Sequence, residues 1–273
     1  MRLLAALALS VAAVFPGAAE TVGAAQEAVR AVSLVEGWRQ PDGSRLAAIE
    51  IRLAPGWHTY WRAPGSAGIP PAFDWSGSEN LASARYEWPR PALFESYGLT
   101  SIGYEGALVL PVLLTPIDPA KPLDLDLVLD FGVCADICVP ATARIEAVLA
   151  PDAPEDGRAL IEAALAERAV SADDAGVSHV TCGLEPHGRG FAVTAEITFA
   201  AAPRPGQVAV MEPGQPDLWI GDASSHTEGR MVTARAPIQS AGSAGPVLER
   251  RALRLTVLDG QRAIDIRGCE APG

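Results

Sequence analysis

The chain has 273 residues, enough for one large or two small domains, and 49% of them are apolar, which supports a packed core and excludes global disorder. Its formal net charge of −12 provides nothing to neutralise phosphates and argues against a nucleic-acid partner.

The opening stretch MRLLAALALSVAAVFPGAAE reads as a signal peptide over residues 1–19. Arg2 supplies the charged region, Leu3 to Phe15 the apolar region, and Gly17-Ala18-Ala19 a small-residue cleavage site. The apolar run is too short for a comfortable membrane span, and no later segment approaches the ~20 apolar residues a span needs. A soluble, exported chain is expected, located in the periplasm of a Gram-negative cell, where disulfides are permitted. The four cysteines, Cys134, Cys138, Cys182 and Cys269, then suggest two bridges, with three possible connectivities.

From Glu20 to Ala150 short alternating segments dominate. RLAAIEIRLA, ALVLPVLLTP, LDLDLVLDF and ARIEAVLA all have the pattern of antiparallel strands with one buried face. The 23 prolines and 26 glycines punctuate strand ends and loops.

LDLDLVLDFGVCADIC carries the most information. Leu123, Leu125, Leu127, Leu129 and Phe131 occupy odd positions and Asp124, Asp126 and Asp130 even ones, so odd positions face the core. Cys134 is even and points away from the core unless Gly132 makes a bulge. On the return strand Ile145, Ala147 and Leu149 face inward, and Cys138 falls on the outward set with Arg144 and Glu146. Residues four apart in a straight strand are separated by about 13 Å, too far for a disulfide. A three-residue loop, Ala135-Asp136-Ile137, would instead make the cysteines a cross-strand pair about 4.5–5.5 Å apart. Pro140 fits an edge strand or an interruption.

Chain entropy separates the two cysteine pairs. Closing the short Cys134–Cys138 loop stabilises by only about 2 kcal/mol, whereas joining Cys182 to Cys269 contributes about 4.5. The second pair brackets most of the C-terminal half and reads as a structural bridge. Outward placement and small stabilisation favour an exchangeable Cys134–Cys138 bond over a staple. Two soft thiolates could alternatively hold Cu(I). Asp136 lies between the thiols with no Lys, Arg or His adjacent in sequence. A neighbouring carboxylate raises a thiol pKa, so the pair is expected to react with a dedicated partner rather than attack on its own.

PEDGRALIEAALAERAV predicts a helix over Glu155 to Val170, with acids in its first turn and Leu160, Ile161, Ala164 and Leu165 on one stripe. A second β-rich pattern follows in HVTCGLEPHGRGFAVTAEITFA, QVAVMEP, RMVTARAPI and RALRLTVLDG. The expected architecture is mainly β: one sandwich over 20–150, a short helical connector over 151–176, and a second sandwich over 177–273.

GWHTYWRAPGSAGIPPAFDW, GLTSIGYEGALVLPVLLTP and FGVCADICVP resemble the N-terminal periplasmic domain of DsbD-type thiol:disulfide interchange proteins, and the ScsB relatives associated with copper tolerance look closer still. The resemblance spans about Val35 to Leu149. CGLEPHGRGFAVTAEITF and the terminal IRGC are similar to the second periplasmic domain of ScsB-type members. It implies immunoglobulin-like sandwiches and a surface pair, Cys134 and Cys138, that a membrane domain reduces and that then reduces periplasmic thioredoxin-like oxidoreductases. It also implies an aromatic cap over the disulfide, placed in RPALFESYGLTS at Phe94 or Tyr97, with His58 and Tyr60 lining the site. The family's full-length proteins continue into a membrane domain and a thioredoxin domain; neither follows here, so a separate membrane electron donor is expected. A Cu(I)-binding or copper-tolerance accessory role without exchange activity is the alternative.

The remaining constellations are weak. Trp57 and Trp61 around Tyr60 read as packing rather than a sugar platform. His58, His179, His187 and His226 have no paired-ligand spacing, so no metal site is expected. No phosphate-binding glycine loop or GxSxG is present, and no small-molecule cofactor is expected.

Overall fold

A computed structural model of the chain describes residues 23, 25–96, 98–152, 155–188, 190–242 and 245–273. The expected leader at 1–19 and the candidate cap Tyr97 lie outside the described residues.

The N-terminal half holds ten strands, in chain order β1 (Val29–Arg39), β2 (Arg45–Leu53), β3 (His58–Tyr60), β4 (Ala72–Asp74), β5 (Leu81–Tyr86), β6 (Ala92–Ser96), β7 (Leu99–Glu105), β8 (Ala107–Pro116), β9 (Leu123–Cys134) and β10 (Cys138–Leu149). They form two antiparallel sheets, one ordered β1-β2-β8-β5 and the other β10-β9-β3-β7-β6, with β4 also paired to β9. Between them Ile49, Ile51, Leu108 and Leu110 meet Leu127, Leu129 and Phe131. Those last three are odd-numbered residues of β9, as its alternation requires.

The expectation of one buried face fails on β2, where Arg45 through Ile49 are all buried. The helix is the reason. It runs only from Arg158 to Ala166, as α1, and docks on the outside of the first sheet. There Ile161 packs with Leu46 and Ala48, flanked by Trp38, Leu113 and Leu165. Glu155 and Asp156 precede the helix, and Leu160 faces solvent rather than joining the stripe. The helix ends early because Arg168 bridges to Pro89 and Val170 enters a strand. Ile161→Val should therefore destabilise by about 1 kcal/mol through the lost methylene, while Leu160→Ala should change stability by less than about 0.5 kcal/mol. Urea unfolding midpoints of the two variants check this.

The C-terminal half adds β11 (Val170–Ser171), β12 (Val177–His187), β13 (Gly190–Phe199), β14 (Val208–Glu212), β15 (Leu218–Ile220), β16 (Ser224–Glu228), β17 (Met231–Ser240), β18 (Arg254–Leu258) and β19 (Ala263–Arg267). Their sheets are ordered β11-β19-β18-β14 and β12-β13-β17-β15, with β16 beside β17. Val193, Ala195, Ile197, Val232 and Ala234 face Leu255, Val257, Ile264 and Ile266 across the core. β11 pairs in parallel with β19, placing Val170 beside Ile264, so the stretch read as a connector contributes a strand to this sandwich. Cys182 of β12 is bonded to Cys269, beyond β19, with Cα atoms 5.7 Å apart. The bond joins the second sheet of this half to the chain that leaves the first. The architecture is mainly β, in immunoglobulin-like antiparallel sandwiches.

Candidate disulfide-exchange site

β9 and β10 form one hairpin whose register runs without a shift from Leu123↔Leu149 to Cys134↔Cys138. Gly132 pairs with Pro140 inside that ladder, so it makes no bulge and the parity of β9 reaches Cys134 intact. The two cysteines are bonded, with S–S 2.05 Å and Cα atoms 4.1 Å apart. β10 is the sheet edge, which is why Pro140 is accommodated without breaking the ladder.

The outward face is correct, but the expected openness is not. Cys138 is exposed, whereas Cys134 is only 5% exposed. Strand parity assigns a side chain to a face and says nothing of what folds back over that face. Here β3 leaves the sheet at Tyr60 and the chain returns at β4, both beside β9. The excursion between them, together with the β6–β7 hairpin, covers the disulfide. An ideal Cβ on Gly132 would lie 2.7 Å from the Ile69 Cβ and 2.7 Å from the Tyr60 ring, so the glycine is what lets the cover sit so low. Ile69 and Gly132 are site residues that the cysteine pattern did not reveal. The available signal was a glycine where the Asp124–Asp126–Asp130 series would place another polar side chain.

His58 flanks Cys134 on the side opposite Cys138, as its cross-strand partner. The hairpin therefore does have a histidine beside it in space, although none adjoins it in sequence. The Phe94 ring stacks on the His58 imidazole, 4.4 Å between centroids and 8° from parallel. His58 in turn meets Tyr60 edge-on at 5.6 Å. The Tyr60 hydroxyl donates a hydrogen bond to the Cys138 sulfur at 3.1 Å. Phe94, His58, Tyr60 and the disulfide thus form one continuous cluster. Burial raises the Tyr60 pKa, so the phenol remains a donor at neutral pH. Asp136 stands apart from this cluster, exposed at the hairpin tip where the Ala135 N–H donates to the Ile137 carbonyl.

Desolvation lowers the His58 pKa, with Glu105 across the strand pair pulling the other way. The folded state therefore favours neutral imidazole relative to the unfolded chain. Its contribution is complete above the unfolded value of about 6.5 and diminishes as pH falls below it. Acidification from neutral pH toward 5.5 should loosen the Phe94–His58 stack. Urea midpoints of the parent should fall relative to His58→Phe over that range; parallel curves would contradict the assignment.

Among the described residues, no group of three or more His, Cys, Asp or Glu is gathered to hold a metal ion. The soft donors of the site would be the two thiolates of the reduced pair. Among the described residues no helix is long and apolar enough to cross a membrane.

Residues 25–150 match the family model described as "Thiol:disulfide interchange protein DsbD, N-terminal". The fold of the chain is similar to that in the crystal structure of the N-terminal periplasmic domain of ScsB from Proteus mirabilis. That similarity has a TM-score of 0.67 at 22% identity and covers 88% of this chain and 92% of that one. No curated protein matches the chain.

Proposed function

We propose that this chain, whose residues 25–150 match the DsbD N-terminal family model, passes electrons in the periplasm from a membrane donor to thioredoxin-fold oxidoreductases. The observation that carries the reading is the asymmetric, covered disulfide. Cys138 is exposed at a sheet edge, Cys134 is buried, and the Tyr60–His58–Phe94 cluster reaches the bond through the Tyr60 hydroxyl. A bond placed only to stabilise the fold would have no need of that cover, and a short loop gives it little to stabilise.

In the reduced protein the Cys138 thiolate attacks one sulfur of the partner's disulfide. A mixed disulfide forms and one partner thiolate leaves. The Cys134 thiolate then attacks the Cys138 sulfur, the second partner thiolate departs, and the Cys134–Cys138 bond is restored. Two electrons have moved to the partner, whose two thiolates take up two protons. The Tyr60 hydroxyl stabilises negative charge on Cys138 during the exchange. In the oxidised form it occupies one approach to that sulfur, so entry of a partner requires the cluster to open.

The roles predict opposite behaviour of two serine variants. Cys134→Ser leaves the exposed nucleophile without its resolving thiol and should accumulate a mixed disulfide with an oxidised thioredoxin-fold protein. Cys138→Ser leaves only the buried thiol and should accumulate far less. Non-reducing electrophoresis with mass identification reads both. Absence of the adduct with Cys134→Ser, or equal capture by the two variants, would overturn the proposal.

A further inference from the structure

The cover over the disulfide is gripped from the C-terminal half. The chain between Tyr60 and β4 is tied to β7 by the Trp61 N–H donating to the Ile102 carbonyl at 2.9 Å and the Ile102 N–H donating to the Pro64 carbonyl at 3.0 Å. On its other side the Arg62 guanidinium, stacked on Trp61, donates to both carboxylate oxygens of Glu212, at 3.0 and 2.9 Å. It also donates to the buried Thr256 hydroxyl. Four residues on, the Ser66 N–H donates to Asp222 at 2.9 Å, and the Ser66 hydroxyl donates to the same carboxylate. The held segment then bears on the site. An ideal Cβ on Gly68 would lie 2.9 Å from the Tyr60 ring, and Ile69 completes the cover above Gly132.

The β6–β7 hairpin is treated differently. Alternation points Phe94 at His58 and sends Leu93 and Glu95 the other way, into a cleft of about 480 Å³. Leu93 and Leu99 are 39% and 54% exposed there, and Met211 and Trp219 line the cleft from the C-terminal half. One part of the cover is therefore bonded to the second sandwich, and the other has open space behind it.

We propose that the second sandwich is the holder of the disulfide's cover, with Glu212 and Asp222 as positioning residues that act through Arg62 and Ser66 on Tyr60. The inference rests on Cys134–Cys138 being the reacting pair. It gives the C-terminal half a task in the exchange: it keeps the Tyr60 side of the cover fixed.

The test is reduction of the full chain by dithiothreitol, quenched by alkylation, with peptide mass analysis separating Cys134/Cys138 from Cys182/Cys269. Asp222→Ala and Glu212→Gln should each accelerate reduction of Cys134–Cys138 by roughly threefold to tenfold, the effect of losing one ordinary hydrogen bond from the cover. Asp222→Asn retains an acceptor for the Ser66 N–H and should stay near the parent rate. The Cys182–Cys269 rate should not move. Unchanged Cys134–Cys138 rates in both variants would overturn the inference, as would equal acceleration of the two disulfides, which is general loosening. No protein partner enters this measurement. Failed capture by Cys134→Ser with accelerated reduction in Asp222→Ala would sink the exchange reading alone; the reverse outcome would sink the holder role alone.

Discussion

Phe94→Ala is expected to speed reduction of the Cys134–Cys138 bond by a small thiol about 30-fold. The ring is the outermost member of the cluster and lies flat on His58. Its removal loses a stacking term of about 0.5–1.5 kcal/mol and part of the roughly 1.5–3 kcal/mol that burying a large apolar side chain contributes. A half-buried ring places the sum near about 2 kcal/mol, and each 1.4 kcal/mol is a factor of ten in rate when it acts on the opening step. The global fold should be little affected, because β6 is an edge strand and Phe94 belongs to none of the core clusters. Phe94→Tyr, which preserves the stacking face, should remain within about threefold of the parent. Alkylation-quenched mass analysis measures both variants. A Phe94→Ala rate within twofold of the parent would show that the ring decorates the disulfide without guarding it.

The legible parts of this site are those encoded by strand periodicity. The leucine–aspartate alternation of β9 assigns the faces of the whole hairpin, and the three-residue spacer sets the cysteines opposite each other. The dense patterns of β2, β8, β9, β10, β13 and β17 likewise announce the sandwiches. The illegible parts are short or come from distant chain. β3, β4 and β15 have three residues each and β11 has two, too few for any period to show. The cover depends on His58, Ile69 and Phe94 arriving from three separate segments, and only resemblance to a known family singled out His58 and Phe94. The helix was visible as a period but not as a docked element. Its partners, Leu46 and Ala48, sit at positions that alternation assigns to solvent. An apolar residue in such a position, like the glycine at 132, marks where another layer covers a sheet.

Two glycines separate the fold that supports the site from the cover that closes it. Gly103 of β7 pairs with Tyr60, and an ideal Cβ there would lie 1.9 Å from the Thr59 carbonyl oxygen and 3.1 Å from the Tyr60 Cα. Those neighbours are backbone of β3, which is itself hydrogen-bonded through the Thr59 hydroxyl to the Gly132 carbonyl at 2.9 Å. No rotamer change can make room, so Gly103→Ala must push β3 and β7 apart and should destabilise by about 3 kcal/mol. Gly190→Ala is the control, because nothing lies within 4 Å of its added Cβ; its stability should change by less than about 0.5 kcal/mol. Gly132→Ala meets the Ile69 Cβ and the Tyr60 ring rather than a β3 main-chain atom, so the strand pairing can persist while the cover is displaced from β9. That variant should lose about 1 kcal/mol, yet free the Cys138 sulfur from the Tyr60 hydroxyl and speed its reduction. Urea midpoints and thiol-reduction rates on the three variants decide the point. If Gly103→Ala is as stable as Gly190→Ala, β3 is not held between β7 and β9 as described. If Gly132→Ala is reduced no faster than the parent, Tyr60 is not what stands between a thiol and Cys138.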